Sequence, residues 1–122
     1  MVVGTGIDIV EIERVRDAIF KNERFIFRYF TEAERTYWQS RSSKAESLAG
    51  IFAAKEAVIK AIGSGYMQDI EINHDASGKP FVQLSGQTAI KIAAIKEAVM
   101  HITISHTRLY AVAHALLESR CD

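Results

Sequence analysis

One stretch of this chain leaves few choices of fold. From Leu48 to Ile62 it reads LAGIFAAKEAVIKAI, and twelve of these fifteen residues are apolar or glycine. At about 100° per residue, Leu48, Ile51, Phe52, Ile59 and Ile62 fill one arc of a helix. Gly50, Ala54, Ala57 and Ala61 form a strip of small residues on the opposite side, where another backbone can approach closely. A helix that is apolar or small almost all round has to be buried. The rest of the chain must wrap it. With 122 residues there is room for one such core, so a single domain spanning 1–122 is expected.

The flanking elements can be read in turn. Residues 2–10, VVGTGIDIV, predict a buried strand rich in β-branched residues. Ile12, Val15 and Ile19 share a helical stripe, so a helix follows from about 11 to 20, and ERFIFRYF adds a short second one. Thr31-Glu32-Ala33-Glu34 is a capping box that opens a helix through Trp38. Ser43-Lys44-Ala45-Glu46 repeats the signature and opens the long buried helix, which ends before Gly63. DIEINH alternates as a strand, DASGKP turns, and residues 81–84 return beside it. Residues 86–99 predict a helix with Ile90, Ala94 and Ile95 inward. HITISH and LYAVAHALL close the chain as two strands joined near Thr107 and Arg108. The expected class is α+β, a largely antiparallel sheet packed with helices.

Two acids stand out against this frame. Asp8 lies between Ile7 and Ile9, where a buried, unpaired carboxylate would cost several kcal/mol. Strand alternation sets Gly4, Gly6 and Asp8 on one face, which should leave open space beside the carboxylate. A cap for the next helix or a pair with an arginine is the structural alternative. On the long helix the polar side chains are Lys55, Glu56 and Lys60, with Glu56 and Lys60 one turn apart. As an exposed pair these two would contribute about 0.2–0.5 kcal/mol. On a buried helix desolvation can exceed that, which favours a functional role for Glu56 and Lys60, and less strongly for Lys55. Two carboxylates from distant elements suit Mg²⁺, which draws its remaining oxygens from water and substrate phosphates. A nearby lysine would offset charge on those phosphates. The residues alone point to metal-assisted phosphate chemistry, and leave open a transferase, a nucleotide diphosphate hydrolase or a catalytically silent binding module.

Several classes are disfavoured. Fifteen basic residues balance fifteen acidic ones, so the excess typical of a nucleic-acid-gripping protein is missing. A lone cysteine, Cys121, allows no internal disulfide or thiolate cluster and suits a reducing cytoplasm. No apolar run approaches the roughly 20 residues of a membrane span, and the N-terminal stretch lacks a signal peptide's basic region. His74 and His114 read as strand histidines, and Tyr37 with Trp38 as packing.

The opening GTGIDIVEIERV, the FTEAE box, the AGIFAAKEAVIKAIG helix, the SGKP turn and the final ISHTRLYAVA resemble holo-acyl-carrier-protein synthases in order and spacing. The resemblance implies the 4′-phosphopantetheinyl transferase fold. It also implies Mg²⁺-dependent transfer of 4′-phosphopantetheine from coenzyme A to a serine of acyl carrier protein, in support of fatty acid biosynthesis. By motif, Asp8 and Glu56 would bind the metal and Lys60 would contact the diphosphate. Gly63, Lys79, Pro80, His106 and Thr107 would line the coenzyme A site. Glu56, directly or through a metal-bound water, is the candidate base, with His106 as another. A homotrimer with active sites between subunits is implied as well. The sequence departs from the family at Ile51, where a basic residue often contacts phosphate of coenzyme A; Lys44 is the candidate substitute.

Arg14, Arg24, Phe25 and Arg28 match the pattern with which that family docks the acidic helix of its carrier protein. Complementary charge would steer the encounter and the apolar residue would anchor it. Reversing Arg14 and Arg24 to Glu is expected to raise the KM for carrier protein and leave that for coenzyme A nearly unchanged in steady-state assays. Equal effects on both would count against the surface.

Overall fold

The computed structural model describes residues 1–42 and 44–121. The chain runs β1 (Val2–Glu11), α1 (Ile12–Lys21), α2 (Arg24–Tyr29), α3 (Glu32–Ser40) and α4 (Ala45–Ile62). It continues through a 3₁₀ turn, Met67–Asp69, to β2 (Ile70–His74), β3 (Pro80–Leu84), α5 (Gly86–Ala93), β4 (Ala98–His106) and β5 (Tyr110–Ser119). The strands form two antiparallel sheets, one ordered β1-β5-β4 and a separate β2-β3 ribbon. No described helix is long and apolar enough to cross a membrane.

The long helix is enclosed as its composition requires: Leu48, Ala49, Ala53, Ala54, Ala57 and Val58 are inaccessible to solvent. It stops at Gly63, whose left-handed φ of 97° suits glycine and whose N–H donates to the Ile59 carbonyl at 2.8 Å. Lys44 is its N-cap, and the capping serine expected at Ser43 lies outside the described residues. The Thr31 box is formed in full: Glu34 N–H donates to Thr31 Oγ1 at 3.3 Å, and Thr31 N–H donates to Glu34 Oε1 at 2.8 Å.

Small residues bring α4 onto β1. A Cβ placed on Gly4 would fall on the Ala61 carbonyl oxygen, and one on Gly6 would fall on that of Ala57. The space expected beside Asp8 is therefore filled by helix backbone. The other face of β1 is uncovered, with Val3, Ile7 and Ile9 exposed by 43%, 62% and 64%. In a single chain this strand is buried on one side only.

Lys55 proves to be part of the core. Its ammonium, fully enclosed, donates to Glu34 Oε1 and to the Tyr29 carbonyl, both at 2.6 Å. Glu34, equally enclosed, also accepts from Ile72 N–H at 2.8 Å. The pair thus ties the cap of α3, the centre of α4 and β2 together. Burial pushes the Glu34 carboxyl up and the Lys55 ammonium down from their ordinary pKa values, and their mutual attraction opposes both shifts.

The fifth helix is shorter than expected. It ends at Ala93; Ile90 and Ala94 are exposed, and residues 98–100 join β4. Pairing decides this, because Ala98, Val99 and Met100 find partners in Ser119, Glu118 and Leu117 of β5. Glu97, with φ of 51°, makes the reversal, and Ser119 Oγ donates to the Lys96 carbonyl at 2.6 Å.

Lys55→Met leaves a buried carboxylate unpaired and should cost about 3–5 kcal/mol in urea unfolding. Adding Glu34→Gln, which removes the stranded charge, should recover part of that loss. A double variant no more stable than Lys55→Met would contradict this reading.

Candidate active site

The approach of α4 to β1 assembles the acids. Asp8, on the face turned to the helix, is 18% exposed at its side chain. Lys60 Nζ donates to Asp8 Oδ1 at 3.1 Å and to the Ile7 carbonyl at 2.9 Å. The Lys60 Cβ lies 2.9 Å from where a Gly6 side chain would begin, so the glycine is what admits the lysine. One turn back, Glu56 is half-buried. Burial pushes its carboxyl above the usual glutamate range; the negative charge of Asp8 pushes it further, and Lys60 opposes. Asp8, Glu56 and Lys60, separated by about fifty residues in the chain, form one cluster.

The donor set fits a hard divalent cation. Two carboxylates press on each other beside one cation, and extra positive charge would relieve that repulsion. Among the described residues, His, Cys, Asp and Glu gather nowhere in groups of three or more as a closed cage would need. Mg²⁺ does not need one, since it keeps waters and takes phosphate oxygens.

The residues expected to line a coenzyme site do not gather in one place. Gly63 closes the helix three residues beyond Lys60. Lys44, Pro80 and His106 instead line a separate cleft of about 680 Å³, with Tyr37, Arg41, Glu46, Ser47, Gly50, Ile51, His74, Gly78 and Ile104. Asp8, Glu56 and Lys60 are not among its walls. Ile51 is buried at 1% exposure beneath it. Lys79 sits on the exposed turn, where its N–H donates to Asp75 Oδ1 at 3.0 Å. Thr107 Oγ1 accepts from Leu109 N–H at 3.2 Å and Tyr110 N–H at 3.1 Å, shaping the β4–β5 turn.

Sequence reading missed Tyr37, Arg41 and His74 as cleft residues. They come from different elements, and no spacing rule links them. Trp38, taken with Tyr37 as packing, is indeed buried, its Nε1 donating to the Lys44 carbonyl at 2.9 Å. Arg14, Arg24 and Arg28 are exposed on α1 and α2. Phe25 turns inward, its ring centroid 5.4, 5.7 and 5.8 Å from those of Tyr29, Phe30 and Phe52. The exposed aromatics nearby are Phe20 and Phe27.

This small domain, a helix clamped on a glycine-bearing strand with two acids and a lysine at the contact, has known counterparts. The chain belongs to the 4′-phosphopantetheinyl transferase superfamily, whose sequence profile matches residues 4–113. Within it, the chain is 44% identical over 125 residues to the holo-[acyl-carrier-protein] synthase of Clostridium tetani, with 99% of each chain covered. It is similar also to the solved holo-ACP synthase of Plasmodium yoelii, with TM-score 0.88, 29% identity, and 99% and 98% of the two chains covered. The Bacillus anthracis holo-(acyl-carrier-protein) synthase, solved in complex with CoA (3′,5′-ADP), matches at TM-score 0.80 and 38% identity over 98% of each chain.

A carboxyl whose folded pKa is raised favours the fold below the ordinary glutamate range and loses that contribution as pH rises through the folded pKa. Glu56→Gln should therefore raise the Tm at pH 7.5 in EDTA. The gain should shrink as the pH falls into the range where Glu56 is itself protonated. A variant less stable than the parent at pH 7.5 would contradict the crowding of Asp8 and Glu56.

Proposed function

We propose that the Asp8–Glu56–Lys60 cluster is the reaction centre of a holo-acyl-carrier-protein synthase. The reaction moves 4′-phosphopantetheine from coenzyme A to a serine of apo acyl carrier protein and releases adenosine 3′,5′-bisphosphate. The observation that carries this reading is the convergence of the two acids and Lys60 where α4 meets β1, within a chain of this family.

The chemistry follows from the groups present. The serine oxygen attacks the phosphorus that bears pantetheine, and the bond from that phosphorus to the bridging oxygen breaks. The electron pair leaves on the 5′-phosphate of the nucleotide. Mg²⁺, held by Asp8 and Glu56, would supply charge stabilisation for the diphosphate. Glu56, its carboxyl raised by burial and by Asp8, is suited to accept the serine proton. Lys60, exposed by 52% at its side chain and fixed by the Ile7 carbonyl, can meet the leaving phosphate's charge. His106 lies on the cleft and not beside these acids, so as a base it would have to act from another subunit.

A homotrimer answers the separation of the two half-sites. One copy's cleft, with Lys44, Pro80 and His106, would face the acids of the next, and coenzyme A would span the junction. The exposed apolar edge Val3, Ile7 and Ile9 of β1 supports such an assembly, since burying it offsets the cost of exposing it to water. Arg14, Arg24 and Arg28 offer the acyl carrier protein a basic surface, anchored by Phe25 or by the more exposed Phe20 and Phe27. A chain with one cysteine needs no oxidising compartment, and we assign the activity to the cytoplasm.

Mass spectrometry of apo carrier protein incubated with coenzyme A and Mg²⁺ tests the reaction. A gain of one phosphopantetheine is expected, abolished by EDTA and reduced at least about 100-fold in rate by Glu56→Gln. Full activity of that variant would remove Glu56 from the centre. Ile9→Glu should yield a monomer by light scattering and lose activity with it; an active monomer would sink the shared-site arrangement.

A further inference from the structure

Helix α2 is too short to hold itself. It has six residues, Arg24–Tyr29, where an isolated helix needs about 12–15 to be even marginally stable in water. None of the six is fully buried, and Glu23 before them gives no side-chain cap. The order of this segment must come from the elements around it.

One hold is apolar. Phe52 of α4, one turn before Glu56, packs against the rings of Phe25, Tyr29 and Phe30 at centroid distances of 5.8, 5.8 and 6.2 Å. Apolar contact is non-directional, so it keeps α2 on α4 without fixing its rotation or register. The other hold is polar and directional. The Ile26 carbonyl accepts the Phe30 N–H at 3.2 Å, and the four carbonyls after it are each met by a side chain from another element. Gln68 Nε2 donates to those of Phe27, Arg28 and Phe30 at 2.9, 3.0 and 3.2 Å. Lys55 Nζ takes that of Tyr29 at 2.6 Å, and Arg35 Nη1 also reaches Phe30 at 2.7 Å. Helix ends commonly leave such groups to water.

Three carbonyls around one atom require it to be the amide nitrogen, so its surroundings fix how the Gln68 amide lies. Gln68 sits on the 3₁₀ turn after α4, is exposed, and has no part in the chemistry of the acids. On the outer face of α2, Arg24 and Arg28 are exposed. We propose that Gln68 is a positioning residue for carrier-protein binding: with Lys55 it keeps α2 folded and fixed on α4, so that Arg24 and Arg28 are presented ready-made. The proposal rests on α2 being the surface that takes the acyl carrier protein. Without the Gln68 donors the Phe27 and Arg28 carbonyls turn to water and the helix end frays. Docking must then order it, which weakens binding.

Gln68→Met keeps the length of the side chain and loses its N–H donors at an exposed position, so the variant should fold. Calorimetry with apo acyl carrier protein, at low ionic strength where charge attraction is least screened, should show binding weakened about fivefold. The Kd for coenzyme A, measured the same way, should not change. In a chain that carries Arg24→Ala and Arg28→Ala, the same Gln68→Met change should weaken carrier binding further by less than about twofold. The helix it steadies no longer presents its charges there. An equal loss in both backgrounds would mean that Gln68 touches the carrier protein directly or only stabilises the fold, and it overturns the proposal. Undiminished binding by Gln68→Met overturns it too. If Arg24→Ala with Arg28→Ala leaves carrier binding intact, the α2 surface itself is wrong, and the proposal falls with that reading. Calorimetry reads binding without turnover, so none of these outcomes depends on the roles given to the acids.

Discussion

The structure depends on how closely one helix can approach one strand. Gly4 and Gly6 give β1 no side chains on the face that α4 covers, and Ala57 and Ala61 give α4 almost none in return. Any Cβ at either glycine would meet a carbonyl oxygen of the helix, so the contact is backbone on backbone. That approach puts Asp8 within reach of Lys60 and sets Glu56 where burial and the Asp8 charge both act on it. The core and the acid–lysine cluster are thus products of one packing event. Residues chosen for smallness position residues chosen for charge.

A second constraint holds the remaining elements to that centre. The Lys55–Glu34 pair is enclosed at the middle of α4, and its hydrogen bonds reach the α2 end, the α3 cap and β2. Desolvation makes such a pair poor as a source of stability, yet losing one partner is severe. The pair therefore fixes the register of helices and ribbon against α4 more than it strengthens the fold. Its neighbour Glu56, one residue along, keeps partial access to solvent and works on the opposite economy: its charge is left crowded, ready for a counter-ion or a proton.

The acid–lysine cluster and the cationic cleft lie apart on the single chain. The acids lie at the α4–β1 contact, and the cationic cleft lies against the other end of the same helix and β4. An uncovered apolar strand face accompanies this division.

Much of this was legible in the residues. A fifteen-residue apolar run with three charges announced a buried helix, and its small-residue strip announced a close neighbour, because helical periodicity maps spacing directly onto faces. The acids were visible because ionisable groups in apolar segments are costly. The Thr31–Glu34 box was visible because capping is local. Tertiary structure alone decided which of the two lysines on α4 would serve the core. Lys55 and Lys60 share a helix and a chemistry, and only the identity of the facing element, Glu34 or Asp8, separates them. It also decided that residues 98–100 would pair with β5 and not continue a helix, and that Tyr37, Arg41 and His74 would meet in one cleft. Such outcomes depend on contacts between residues distant in the chain, which local propensity does not encode.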